Sequence, residues 1–212
     1  MIKLDNRLRA LLSEIIGDTL ADIGCDHGKL AVSALIETKC SKVIAGDISA
    51  ESLKKAVKLA EEYACEDKIE CRVSDGFDKI KEDLDTAIIA GLGGYEIRDI
   101  LSKGIPNIKR LVLCPHQNVA VARQAINAMG YEAVKDFVVK EGRKFYQIIV
   151  AEKGNKKYQE GELRFGLNYP ASSCYQEMLL ARKGIIEERF SGKEIPMGEM
   201  QNEYQEIIRC LK

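Results

Sequence analysis

Short apolar runs alternate along this chain with stretches whose apolar residues recur every three or four positions. The runs cover 20–24, 43–46, 69–73, 86–90 and 111–114, each short enough to read as a buried strand. Between them, helical spacing covers 29–38, 50–63, a short piece at 77–81, 95–103 and 119–129. Ahead of the first run, Leu4, Leu8, Leu11, Leu12, Ile15 and Ile16 predict an amphipathic helix over 2–16, which Gly17 and Asp18 stop. Strand and helix in strict alternation predict an α/β fold: a parallel sheet, right-handed crossovers and helices on both faces.

The rhythm breaks after 130. Two β-type runs, 131–139 and 144–151, follow each other with only "KEGR" between them, which predicts a hairpin. The whole is then a mostly parallel seven-stranded sheet that ends in an antiparallel hairpin. By fold-level analogy this is the usual ending of the methyltransferase version of the Rossmann-like fold, whereas dehydrogenases continue with another crossover. From 155 onward the composition turns polar ("GNKKYQEGE"), which predicts a surface linker, and "RFGLNYP" precedes two helical patterns. Tyr175, Met178, Leu179, Arg182, Ile185, Ile186 and Phe190 mark the first. Met197, Met200, Tyr204, Ile207 and Leu211 step by three and four in the second, as in a coiled-coil seam. "SGKEIP", with Gly192 and Pro196, separates them, so a helical hairpin packed on itself is expected over the last part of 155–212.

At 212 residues the chain can bury one sizeable core and add a small appendage. No apolar stretch approaches the roughly 20 residues of a membrane span, and the N-terminus does not read as a secretory signal; a cytoplasmic protein with no membrane partner is expected. Seven cysteines lack any C-x-x-C pair, and two histidines are too few to complete a zinc site with them, so no metal is expected and reduced thiols filling core spaces are. A net charge of −1 supplies no global attraction to phosphate, so any nucleic acid must be held by a local patch.

The first run ends in "ADIGCDHGKL". A strand that passes at once into a helix places backbone N–H groups where α/β sheets bind nucleotides, but G-x-G-x-x-G is absent. Asp22, Gly24, Asp26 and Gly28 stand on alternate positions instead. A second acid would repel a pyrophosphate by about a kcal/mol or more. It suits a ligand with an ammonium group, a cationic sulfonium and no phosphate, which is the description of S-adenosylmethionine; an Asp26 that N-caps the next helix is the plainer alternative. "VIAGDIS" places Asp47 at the end of the second run, where an acid accepts from both ribose hydroxyls, though an ordinary N-cap would look the same. Asp75 and Gly76 follow the third run, an acid placed for an adenine amino group and a glycine leaving room for the ring, or simply a turn. The fourth run leads into Gly91, Gly93, Gly94 and Tyr95, glycines that allow close approach to the backbone and a tyrosine that could stack on a flipped base. His116 in "CPHQN", after the fifth run, is a candidate for the cleft wall, with a polar surface histidine as the simpler reading.

"LADIGCDHGKL", "VIAGDIS", "DGFDKI", "IIAGLGG", "NAMGY" and "GRKFYQIIVAEKG" together resemble the bacterial tRNA (adenine-22-N1)-methyltransferases, over nearly the whole chain. The paired Asp26-His27 and the AG-x-GG loop are the specific parts. The resemblance implies a class I S-adenosylmethionine-binding domain over 1–154, a coiled-coil-like helical extension over 155–212, and tRNA as partner. It also implies cofactor contacts at Asp22, Gly24, Cys25, Asp47, Ile48, Asp75, Gly76 and Gly91. Asp26 and His27 complete the first cofactor motif and, in that order, are the side chains expected at the reaction, a role toward the cofactor alone being the alternative; Gly93, Gly94, Tyr95, Arg7 and Arg9 lie toward the substrate. Lys153, Lys156, Lys157, Arg182 and Lys183 are further candidates for phosphate. This chain departs from the family at Cys25, usually Ser or Thr, at Gly28, often Ala, and at "CPHQN", where Gln-Pro-Asn is more usual. A methyltransferase acting on another substrate, a cofactor-fold binding module without turnover, and a nicotinamide dehydrogenase are the alternatives, the last disfavoured by the missing glycine pattern. Whether the chain is a monomer or a weak homodimer stays open.

Overall fold

A computed structural model describes residues 2–167, 172–191 and 193–211. Asn168, Tyr169 and Pro170 of "RFGLNYP", and Gly192 of the expected breaker, lie outside the described residues. In chain order the elements are α1 (Asn6–Ser13), β1 (Thr19–Ile23), α2 (Lys29–Ile36), β2 (Lys42–Asp47), α3 (Ala50–Glu62) and β3 (Ile69–Val73). There follow β4 (Leu84–Ala90), α4 (Gly94–Ser102), β5 (Ile108–Cys114), α5 (Val119–Ala128), β6 (Tyr131–Glu141) and β7 (Lys144–Lys153). Three helices end the chain: α6 (Glu160–Phe165), α7 (Ser173–Phe190) and α8 (Glu199–Cys210). Among the described residues no helix is long and apolar enough to cross a membrane.

The seven strands form one sheet in the order β3-β2-β1-β4-β5-β7-β6. β1 pairs in parallel with both β2 and β4, and β7 runs antiparallel between β5 and β6. Side-chain alternation sorts the strands into two cores. Leu20, Val43, Ala45, Ile88, Val112 and Val150 face α1, α2 and α3, while Ala21, Ile44, Ile89, Leu111, Leu113 and Ile149 face α4 and α5. The chain leaves β1 toward β2 and β3, then returns to β4 on the other side of β1. That reversal opens a crevice at the carboxyl ends of the strands, the place where such sheets bind ligands.

Three expectations need correction. The helix predicted over 2–16 starts at Asn6, because the Asp5 side chain accepts the Leu8 N–H at 2.7 Å, and stops at Ser13 so that Ile16 can donate its N–H to Thr86 Oγ1 at 2.9 Å on β4. The piece at 77–81 is a turn. Ser74 Oγ donates to the Gly76 carbonyl and accepts the Lys79 N–H, closing the segment's polar groups locally instead of along a helix. The polar stretch after Gly154 is not merely a surface linker, since it contains α6 and is bolted to the sheet.

The bolt is Arg123 of α5, fully buried. Its guanidinium forms a two-pronged pair with Asp136 of β6 at 2.8 and 2.9 Å, and donates to Gln147 Oε1 at 2.7 Å and to the Leu163 carbonyl at the end of α6 at 3.0 Å. Tyr158 donates its hydroxyl to Asp136 at 3.0 Å. The two final helices pack on each other through Leu179, Ile186 and Ile207, and also on Val138 and Phe145 of the β6–β7 hairpin. The seam is shorter than its spacing suggests: Met197 is 91% exposed and Ile185 56%. Removing Arg123 leaves the Asp136 charge buried and two α6 carbonyls without their donor. Arg123→Ala is therefore expected to cost about 3–5 kcal/mol, read as a lowered midpoint of urea unfolding.

Candidate active site

The first corner is built from three left-handed residues, Gly24, Asp26 and Gly28, with φ of 73°, 49° and 68°. The N–H groups of Gly24 and Cys25 both donate to the Gly46 carbonyl, at 2.8 and 3.1 Å, which pins the corner to β2. α2 takes Gly28 as its cap with no side-chain hydrogen bond, so Asp26 does not N-cap it. A Cβ on Gly28 would lie 2.6 Å from the Ala56 methyl, so this glycine serves α2–α3 packing rather than a ligand. Asp26 is left exposed, its carboxylate 3.4 Å from His27 Nε2; Lys55 Nζ lies 3.3 Å from the same nitrogen. Cys25 is buried, and burial pushes its thiol well above the ordinary range.

Asp22 is the exceptional group. Its side chain is buried at the end of β1, and Oδ2 has no hydrogen-bond partner among the described residues. Burial, opposed by the Ala31 N–H and helped by the nearby Asp47 charge, pushes its carboxyl up to about 7. Asp47, at the end of β2, takes the Asp26 N–H on Oδ2 at 3.0 Å and the Ser49 N–H on Oδ1 at 2.8 Å. Ser49, not Asp47, caps α3. Asp47 therefore ties the loops after β1 and β2 together, while each of its oxygens keeps a further lone pair. Ile48 beside it is 75% exposed, an apolar face turned out at the cleft. Asp75 lines the same cleft and is paired with Lys103, the C-cap of α4. Gly76 needs its glycine partly for space: a Cβ there would meet Ile100 at 2.7 Å.

The β4 loop divides by role. Gly91, at φ 87°, lines the cleft, and a Cβ on it would meet nothing within 4 Å, so the space above it is open. Gly94 does not admit a ligand; a Cβ there would lie 2.0 Å from the Asn118 carbonyl, so its absence lets α4 and the β5 loop meet. Gly93 donates its N–H to Glu96 at 2.6 Å as part of the α4 cap. Tyr95 is half exposed beside Arg98 and stands outside the cleft lining. Arg7 is in the lining and Arg9, exposed, is not. Of the further cations, Arg182 is held by Glu203 at 2.7 Å and Lys183 by Glu187 at 2.5 Å. Of the two readings of His116, the cleft holds: it lines the wall together with Leu92 and Glu96. Its place after β5, at the carboxyl edge shared by every other site loop, is the signal that marked it as a candidate. The cleft encloses about 790 Å³, ample for a nucleoside with a side chain.

Residues 4–149 match the family described as "Methyltransferase domain". The chain is also 32% identical over 160 residues to the tRNA (adenine(22)-N(1))-methyltransferase of Bacillus subtilis, a match spanning 73% of this chain and 67% of that one. The chain belongs to the tRNA (adenine(22)-N1)-methyltransferase family. Solved structures agree. A candidate tRNA (m1A22) methyltransferase of Streptococcus pneumoniae, in complex with S-adenosyl-L-methionine, superposes with a TM-score of 0.89 at 27% identity over 100% of both chains. The B. subtilis M1A22 tRNA methyltransferase superposes at 0.80 with 25% identity, over 100% of this chain and 97% of that one.

The buried acid of this family fold sets a pH dependence. Because the folded value of Asp22 is raised from 3.8 to about 7, its contribution to stability is full below the unfolded value and is lost as pH rises through 7. Asp22→Asn should therefore stabilise the free protein, by a larger increment at pH 8 than at pH 5. Urea midpoints at the two values check this; an equal shift at both would contradict it.

Proposed function

We infer that this chain transfers a methyl group from S-adenosylmethionine to N1 of adenine 22 in tRNA. The single structural observation that carries the methyl donor in this reading is the acidic first corner: a buried carboxylate with one oxygen unpartnered among the described residues, in a crevice whose second strand ends in a fixed acid; family membership carries the substrate. That donor set fits a cation without phosphate. An ammonium group would satisfy Asp22 Oδ2 and return its carboxyl to the ionised form, whereas a pyrophosphate there would meet Asp22 and Asp26 with the same sign. This also argues against the dehydrogenase reading, and the family match removes it.

When bound, S-adenosylmethionine supplies an electrophilic methyl group on a sulfonium centre. Asp47, oriented by the Asp26 and Ser49 N–H groups, is assigned the ribose hydroxyls. Ile48 offers its exposed face to the adenine ring, and Asp75, held by Lys103, is assigned the adenine amino group. Gly24 and Cys25 shape the floor, and Gly91 keeps the space between donor and acceptor free of side-chain atoms.

Adenine N1 attacks with an in-plane lone pair, so no base has to remove a proton first. The protein's task is alignment, at a near-attack separation of about 3–3.5 Å, and stabilisation of the positive charge that grows on the ring. Asp26 is assigned to accept from the exocyclic amino group, with His27 beside it. The base must leave its stack to reach this depth, which costs a few kcal/mol. Phosphate contacts fall to Arg9 on α1, to Lys153 at the end of β7 and to Lys156 and Lys157 beyond it; Arg7 is turned into the cleft toward the base, and Arg182 and Lys183 are ion-paired.

Two measurements test this reading. Asp47→Ala removes two charge-assisted hydrogen bonds and should weaken S-adenosylhomocysteine by about 100-fold or more in calorimetry, with no heat from NAD for either protein. Unmodified tRNA incubated with labelled donor should yield N1-methyladenine at position 22. Label in a small amine or a protein, and none in tRNA, would refute the substrate.

A further inference from the structure

The cofactor-side groups Asp22, Asp47, Ile48 and Asp75 stand over β1, β2 and β3. A different cluster stands over β5 and β7, across Gly91. Arg7 of α1 reaches His116 after β5, with Nη1 3.3 Å from His116 Nε2, and its guanidinium carbon lies 5.4 Å above the ring of Tyr146 on β7. His116 and Tyr146 are themselves tilted partners, ring centres 6.1 Å apart. Asp5 Oδ2 is 3.9 Å from Arg7 Nη2, and Arg7 Nε is buried without a hydrogen-bond partner among the described residues. Asp5, Arg7 and His116 all line the cleft.

Resting on the tRNA reading above, we propose that His116, held by Arg7, positions the target adenine by donating a hydrogen bond to one of its ring nitrogens other than N1. Arginine has no acceptor, so His116 Nε2 must present its lone pair to Arg7, which makes the imidazole neutral and leaves the proton on Nδ1. Nδ1 makes no hydrogen bond among the described residues, so it is the free donor at the cleft. A donor of this kind pairs with a ring nitrogen that carries a free lone pair; seated on N3 or N7, as the proposal has it, it leaves the N1 lone pair for the methyl group. Tyr146 backs the Arg7 guanidinium as a cation–π partner, keeping the donor wall stiff. Arg7 acts through His116 and is a positioning residue.

The groups facing His116 support a neutral ring over the working range. Burial, Arg7 of α1 and Lys144 of β7 lower its pKa, against Glu96 of α4. Asp5, the N-cap of α1, meets Arg7 rather than the imidazole. Acid conditions protonate Nε2 and break its bond to Arg7, so kcat/KM for tRNA should fall on the acid side through His116.

The test is tRNA methylation at saturating methyl donor across pH, with S-adenosylhomocysteine affinity measured in parallel. His116→Ala should cut kcat/KM for tRNA by about 10–100-fold, remove the acid limb, and leave S-adenosylhomocysteine affinity within about twofold. His116→Asn, which restores a neutral donor, should recover part of the activity without the limb. Arg7→Gln should lower kcat/KM for tRNA at every pH and also move the acid limb to higher pH, because a neighbouring cation no longer depresses the imidazole. An unchanged kcat/KM in His116→Ala, or an acid limb that survives it, overturns the proposal while the tRNA reading stands. A wild-type protein that binds S-adenosylhomocysteine but methylates no tRNA overturns the reading and the proposal with it.

Discussion

The site is organised around a carboxylate that the free protein holds at a cost. Asp22 sits at the end of a strand fully enclosed by neighbours on both sides, with one oxygen lacking a partner, so burial drives it toward its neutral form. Nothing in the packing requires an acid there; Ala21 and Ile23 on either side supply the core contacts. An ionisable group kept in so unfavourable a place is intelligible when a cation completes it.

The rest of the crevice follows from that corner. Left-handed turns at Gly24, Asp26 and Gly28 bring the chain off β1 without a glycine-rich anion cradle, and the N–H groups that could have served phosphate are already bonded to Gly46. Asp47 then fixes the corner to the start of α3 through two backbone donors, so the two loops over β1 and β2 form one rigid lip. The sheet order places β4 beside β1 and β5 beyond it, which separates the loops after β1, β2 and β3 from the loop after β5, with Gly91 between them. At the far end, Arg123 couples α5, the terminal hairpin and α6, so the C-terminal helices hang from the same sheet that carries the site.

Much of this was legible from residue order. Strand positions followed from the apolar runs because buried parallel strands have little freedom to be anything else. The acids at the ends of β1, β2 and β3 were legible because their place after a strand determines where they point. What was lost depended on contacts distant in sequence. Gly93 and Gly94 look like ligand glycines, but Glu96 and the Asn118 carbonyl account for them. "DGFDKI" has helical spacing, but Ser74 closes it as a turn. Arg123 carries a charge and reads as a surface residue; only Asp136, thirteen positions later, makes its burial tolerable. His116 gains its meaning from Arg7, 109 positions earlier, which no local pattern can supply.

The account's central claim is that a buried acid is completed by the ligand's positive charge, and proton release on binding tests it most directly. At pH 7, close to the raised Asp22 value, binding of S-adenosylhomocysteine should expel about half a proton. Calorimetric titrations in buffers of different ionisation enthalpy read that number. The account predicts release by the wild-type protein and its loss in Asp22→Asn. Equal proton release by the two proteins would show that Asp22 does not meet the cation, and would contradict the claim.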